Sequence, residues 1–136
     1  MAPFVFQCPL RWSDMDSYGH VNNVEFLRLL EEARVALFFD GARQAGVKSF
    51  EGELVVVRHE IDYKRPLVYR PEPITVETWV TTIRSSSFTI DYEVSDEATR
   101  YASARSVLAA YDAELDRPRR LSPEELSWLE RYRGDE

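Results

Sequence analysis

The 136-residue sequence holds a single cysteine, Cys8, so no disulfide can close within the chain. A reducing compartment is the expectation for such a sequence. Cys8 stands in an apolar stretch, where a cysteine is expected as a small core residue rather than a nucleophile. Histidine is scarce too, with only His20 and His59, so a structural zinc site is not expected. No apolar run approaches the ~18 residues of a membrane-spanning helix. The first residues lack a basic stretch ahead of an apolar one, so no secretory signal is expected and the cytoplasm is the expected location. Positive charge is in deficit too: 17 Lys and Arg stand against 24 Asp and Glu, a net charge of −7. That balance argues against nucleic-acid binding, which rests on phosphate neutralisation. It leaves room for a small anionic ligand held by a few local arginines.

Glycine is sparse, and four of the five (Gly19, Gly41, Gly46, Gly52) fall in the first half, where the chain changes between strand and helix. There is no repeat, low-complexity run or linker. The length fits one domain, 1–136, with a substantial core.

The order of elements is readable from the period of apolar residues. Residues 4–12 read as a strand and 13–19 as a turn rich in Asp, Ser and Gly. Phe26, Leu30, Ala33 and Leu37 recur at helical spacing, with Leu29 and Ala36 widening the stripe, so a long helix is expected over about 23–40. Asn22 and Glu25 have capping-box spacing, Val21 and Phe26 that of a hydrophobic staple, and Gly41 is a stop signal. From 54 onward the period is two. Strands are expected over 54–63, 74–83, 88–94 and 101–112, broken by Pro66, Pro71 and Pro73 and by the turn at 84–87. A short terminal helix over 121–133 carries a full start signal: Ser122 as N-cap, Pro123 in the first turn, Glu125 closing the box. A strand, a long helix, four strands in hairpin succession and a short helix give an α+β class with an antiparallel sheet.

Chemistry concentrates in residues 11–23, Arg-Trp-Ser-Asp-Met-Asp-Ser-Tyr-Gly-His-Val-Asn-Asn. Two carboxylates, an imidazole and two amides crowd a strand-to-helix turn, where the orphan N–H groups of a helix start favour developing negative charge. Such a carboxylate can attack a carbonyl or deprotonate water while a backbone N–H holds the oxyanion. The same residue types also serve any turn and N-cap.

The pattern Asp14-x-Asp16-x-x-Gly19-His20-Val21-Asn22-Asn23, continued by Phe26-Leu27-x-x-Leu30-Glu31-Glu32-Ala33-Arg34, resembles the signature of the 4-hydroxybenzoyl-CoA thioesterase-like family of hotdog proteins. Ile61-Asp62-Tyr63-x-x-Pro66-Leu67 and Arg84-Ser85-Ser86-Ser87-Phe88 extend the similarity, which spans about 4–112. The resemblance implies a hotdog fold, a long central helix wrapped by a five-stranded antiparallel sheet. It implies acyl-CoA as substrate, no metal or organic cofactor, and a homodimer, with a homotetramer also compatible, whose active sites lie between subunits. Asp16 matches the catalytic carboxylate, as nucleophile or as base for water, and Asn23 the backbone oxyanion donor. His20 is a candidate to orient substrate, and Asp14 is expected in a structural role. Arg84 with Ser85, Ser86 and Ser87 is the first candidate for holding the CoA tail, followed by Arg65, Lys64 and Arg100. Trp79, Phe38, Phe39 and Phe50 are candidates for an acyl pocket, at least two of them expected in the core. Arg58, Glu60 and Asp62 share one face of a strand and are expected to be structural. Arg117, Arg119 and Arg120 read as a solvated linker. Val24-Glu25-Phe26 departs from the apolar residue and tyrosine usual in relatives, which bears on the pocket mouth. The alternatives to hydrolysis are a non-catalytic acyl-CoA-binding hotdog protein and a hotdog hydratase or dehydratase. The aspartate and histidine five apart that the latter usually carry are not found.

Overall fold

The computed structural model describes residues 3–47, 50 and 53–134. Five strands form one antiparallel sheet in the order β1-β3-β4-β5-β2: β1 (Phe4–Cys8), β2 (Glu53–Tyr63), β3 (Ile74–Ile83), β4 (Ser87–Ser95) and β5 (Arg100–Asp112). A two-residue strand, β6 (Arg117–Pro118), extends it beside the end of β5. β1 is shorter than its apolar pattern suggests. Pro9 has no N–H to give a ladder, and the chain then enters a 3₁₀ turn, Trp12–Asp14.

The long helix begins at Asn23, runs as α-helix to Val35, and continues through a π-helical turn, Ala36–Gly41, into a last turn, Ala42–Gln44. Its buried residues Phe26, Leu29, Leu30, Ala33, Leu37 and Phe38 join the inward faces of the sheet in one core. Asn22 is the N-cap and accepts from the Val24 N–H at 3.0 Å. Glu25 does not complete a capping box, because its carboxylate is taken by Arg11 and Arg28. Gly41 is not the stop. It holds ordinary helical dihedrals, and a Cβ there would lie 2.9 Å from the Ala36 carbonyl oxygen and 3.5 Å from the Trp128 ring. Its bareness serves close packing. The left-handed residue that ends the helix is Gly46, at φ +83°. Gly52, also read as a punctuating glycine, lies outside the described residues.

The inner faces of β3 and β4 follow the expected alternation: Ile74, Val76, Thr78 and Val80, then Phe88, Ile90, Tyr92 and Val94, are all buried. β2 is an edge strand with a bulge between Val56 and Arg58. The extra residue switches the faces. Leu54 and Val56 look inward before it, paired with Ala110 and Leu108, and His59, Ile61 and Tyr63 after it, opposite Ser106, Ala104 and Ala102. Arg58, Glu60 and Asp62 accordingly share the outer face, where Arg58 and Glu60 form an exposed ion pair at 2.6 Å.

The terminal helix, Pro123–Arg131, starts with the full capping box read from the sequence. Its Glu125 is buried and takes two hydrogen bonds from Arg119, at 2.8 and 2.9 Å. Arg119 is therefore not a solvated linker residue: a buried carboxylate needs a partner, and Arg119 supplies it. Trp128 donates to the Leu37 carbonyl at 3.2 Å and pins this helix to the long one. No helix among the described residues is long and apolar enough to cross a membrane.

Candidate active site

Between the 3₁₀ turn and the long helix, residues 15–21 fold back on themselves. Met15 pairs with Val21, the Asp16 N–H donates to the His20 carbonyl at 2.7 Å, and the Gly19 N–H donates to the Asp16 carbonyl at 3.1 Å. The turn needs a left-handed residue and has Gly19 at φ +79°. Asp16 opens this turn, and Ser17 and Tyr18 form its tip. Oδ1 of Asp16 accepts from the backbone N–H groups of Tyr18 (2.9 Å) and His20 (3.3 Å). Oδ2 has no partner among the described residues. The carboxylate is thus oriented by two donors and still has one oxygen available.

Asp16, His20 and Asn23 line a cleft of about 220 Å³ together with Phe26, Tyr63 and Arg65. Asn23 is the first helical residue, and its N–H finds no acceptor among the described residues. The opposite wall is the end of β2. Tyr63 donates from its hydroxyl to the Asn23 carbonyl at 3.1 Å, and its ring meets Phe26 edge-on, with centroids 5.4 Å apart. The Val21 N–H donates to the Leu67 carbonyl at 2.6 Å and closes the floor. Tyr63 lay within a motif of the sequence, but its role as a wall of the cleft was missed. Only the bulge in β2 turns it inward.

Asp14 is wholly buried, away from the cleft, among Arg11 and Arg28. Burial alone would raise its pKa; hydrogen bonds from Arg11 and the charge of Arg28 outweigh that and hold it below the ordinary value. It is structural, as expected. Cys8 is buried as well, and burial, with Glu32 nearby, pushes its thiol up to about 11. It is no nucleophile at neutral pH.

The predicted CoA-binding residues divide. Arg65, with Lys64, lines the Asp16 cleft, and the side chains of both are without an ion-pair partner among the described residues. Arg84, Ser85, Ser86 and Ser87 stand elsewhere. Ser87 pairs with Ala109, whereas Tyr63 at the cleft pairs with Ala102, which itself pairs with Val94. The turn is therefore at the far end of the sheet, roughly 23 Å away along β4. Its backbone is occupied: the Arg84 N–H donates to the Ser87 carbonyl, and the Ser85 and Ser86 carbonyls accept from Leu121 and Ala110. Arg100 is paired with Glu93 at the outer face. Phe38 and Phe50 are core residues, Trp79 lines the outer face, and Phe38 and Phe39 border a second cavity of about 160 Å³ with Leu54, Val56 and Leu108. Among the described residues there is no cluster of three or more His, Cys, Asp or Glu arranged to hold a metal.

Residues 10–129 match the model of the thioesterase-like superfamily. The chain belongs to that superfamily. Its fold is the hotdog fold, and its enzyme class is thioester hydrolase. Over 134 residues it is 29% identical to a protein of Synechococcus elongatus named 1,4-dihydroxy-2-naphthoyl-CoA hydrolase, covering 96% of this chain and 97% of the other. Among solved structures it resembles a predicted thioesterase from Bacillus stearothermophilus (25% identity, TM-score 0.85, 99% of both chains). It also resembles a thioesterase from Thermus thermophilus complexed with coenzyme A and Zn (26% identity, TM-score 0.79, 99% and 98% of the two chains).

Proposed function

We propose that the chain hydrolyses acyl-CoA thioesters with Asp16 as the reacting carboxylate. One observation carries this reading: a carboxylate oriented through Oδ1, with Oδ2 open, shares a cleft with an orphan N–H at the start of a long helix. The thioester carbonyl, placed against the Asn23 N–H, gains a donor that strengthens as its oxygen becomes negative. Asp16 then acts in one of two ways. Oδ2 adds to the carbonyl carbon, the C–S bond breaks, CoA leaves as thiolate, and water hydrolyses the resulting anhydride. Alternatively Oδ2 takes a proton from a water that attacks the same carbon. His20, whose imidazole has no partner among the described residues, is placed to orient substrate in this cleft. Arg65 and Lys64 at the mouth offer positive charge to the CoA phosphates.

A homodimer is part of this reading, supported by the β2 edge, which pairs with no further strand among the described residues. Val24, Leu27 and Val35 on the helix and Val56, Val57 and Tyr63 on β2 are exposed apolar residues on either side of the seam between them. A second copy pairing antiparallel along β2 would cover this stripe and the unpaired edge together. It would also bring its own 84–87 turn toward this chain's cleft, which gives the hydroxyls of Ser85, Ser86 and Ser87 and the charge of Arg84 a role across the interface. The relative's name makes aromatic acyl-CoAs the first to try.

The test is thiol release from benzoyl-, 1,4-dihydroxy-2-naphthoyl- and hexanoyl-CoA by wild-type protein and by Asp16→Asn. Turnover that falls roughly 10²–10⁴-fold in the variant is expected. No turnover by the wild type, or an unaffected variant, overturns the reading. In a single turnover in H₂¹⁸O, label in the Asp16 carboxylate marks direct attack with the anhydride opened at the aspartyl carbon; where the label enters only the product acid, trapping of an Asp16 anhydride by hydroxylamine separates direct attack from the base role.

A further inference from the structure

Asp14 does more than fill a buried position. Its Oδ2 accepts from the Arg11 N–H at 2.8 Å and from Arg28 Nη2 at 2.5 Å, and its Oδ1 from Arg11 Nε at 2.9 Å. Its carbonyl accepts from the Asn22 N–H at 2.9 Å. One residue thereby joins the exit of β1, the N-cap of the long helix and, through Arg28, that helix's second turn. Arg28 is itself fixed by Glu25 at 3.3 Å and by Glu32 one turn on. Of the two guanidinium partners, Arg28 is the sheltered one, its side chain 20% exposed against 55% for Arg11.

The seven residues between Asp14 and Asn22 carry Asp16. They close on themselves through the Met15–Val21 pairing, and among the described residues their backbone N–H groups bond outside the loop only at its two ends, Met15 to the Trp12 carbonyl and Val21 to the Leu67 carbonyl. Where Asp16 stands relative to the Asn23 N–H is thus fixed at the base of the loop. We infer that Asp14 and Arg28 are positioning residues: their buried ion pair clamps the loop so that Asp16 faces the helix start. This rests on the hydrolase reading of the same site. The pair touches no substrate, so its loss acts on kcat through geometry. A displacement near 1 Å at reacting atoms costs on the order of 100-fold.

The experiment compares Arg28→Met, Arg28→Lys and wild type on the three CoA esters named above, with hydrogen–deuterium exchange on each protein. Arg28→Met, which keeps the apolar stem and removes the charge, is expected to lower kcat roughly 10–100-fold while KM stays within about threefold. Arg28→Lys restores part of the rate. The Tyr18 and His20 amides, which donate to Asp16, exchange faster in Arg28→Met, and those of the terminal helix do not. Leu129→Ala, in the core far from the loop, is the control for lost stability: it lowers Tm and leaves kcat of the folded protein unchanged. An active wild type together with an Arg28→Met variant of unchanged kcat and unchanged exchange overturns the clamp alone. A wild type inert toward all three esters overturns the hydrolase reading and the proposal with it.

Discussion

The hydroxyl of Tyr63, at the end of β2, donates to the backbone carbonyl of Asn23, at the start of the long helix, across 3.1 Å. These residues are 40 positions apart and form the two walls of the Asp16 cleft. The same Tyr63 ring rests edge-on against Phe26, so the sheet edge and the helix start are held by one polar and one aromatic contact.

Tyr63→Phe removes the first contact and keeps the second. At a half-exposed site the hydrogen bond contributes about 0.5–1.5 kcal/mol, so thermal unfolding is expected to show a loss of that size. The cleft wall loosens with it, and kcat/KM on an acyl-CoA falls several-fold. An unchanged kcat/KM with a lowered Tm would mean that the contact serves stability alone.

Lys64 and Arg65 are the cations of the cleft. Their joint replacement, Lys64→Gln with Arg65→Gln, is expected to raise KM for acyl-CoA by about 3–10-fold, in keeping with partly screened charge pairs, and to leave kcat in place. The matching acyl-pantetheine, which lacks the nucleotide phosphates, should not distinguish the variant from wild type. Steady-state kinetics at low and moderate salt would read both effects, and an equal KM change for the two thioesters would remove the cations from CoA recognition.

On the inner face, Arg34 donates to the Tyr92 hydroxyl at 3.3 Å, Tyr92 donates to Ser106 Oγ at 2.8 Å, and Ser106 Oγ lies 2.6 Å from Nδ1 of His59. With Tyr92 donating to Ser106, the Ser106 hydroxyl proton is available to Nδ1 of His59, and the expected tautomer carries its proton on Nε2. Burial, assisted by the nearby Arg34 charge, lowers the His59 pKa below its ordinary value near 6.5. The sign follows: the folded state favours the neutral ring, so the contribution is full above about pH 6.5 and declines as pH falls through the depressed folded value. Nitrogen-15 NMR should report the Nε2–H tautomer. His59→Gln should flatten the dependence of stability on pH in that acidic window, and a wild-type His59 titrating at or above 6.5 would contradict the relay.

Much of the fold was legible in the residues. Period-two alternation placed Ile74–Ile83 at its observed bounds, because β3 buries one face only. Ser122, Pro123 and Glu125 fixed the start of the terminal helix through purely local bonds. The candidate loop was legible as well, since Asp16, Gly19, His20 and Asn23 meet within a few residues of one another. The helix stop was misplaced at Gly41, because sequence alone does not separate a glycine kept for a left-handed turn from one kept for a close approach to Trp128.

What the sequence determined by itself is therefore what short range can enforce: strand period, caps, turns, and the grouping of Asp16 with the start of the helix. The tertiary structure decided the rest, because those choices depend on atoms far apart in the chain. The bulge in β2 turned Tyr63 to the cleft and Arg58, Glu60 and Asp62 away from it. The sheet register carried Arg84 and Ser85–Ser87 to the far end while leaving Arg65 at the cleft. Folding also chose between two aspartates two residues apart. Asp14 is sealed in with Arg28, where a buried charge requires a partner, and Asp16 stands in the cleft with one oxygen unclaimed.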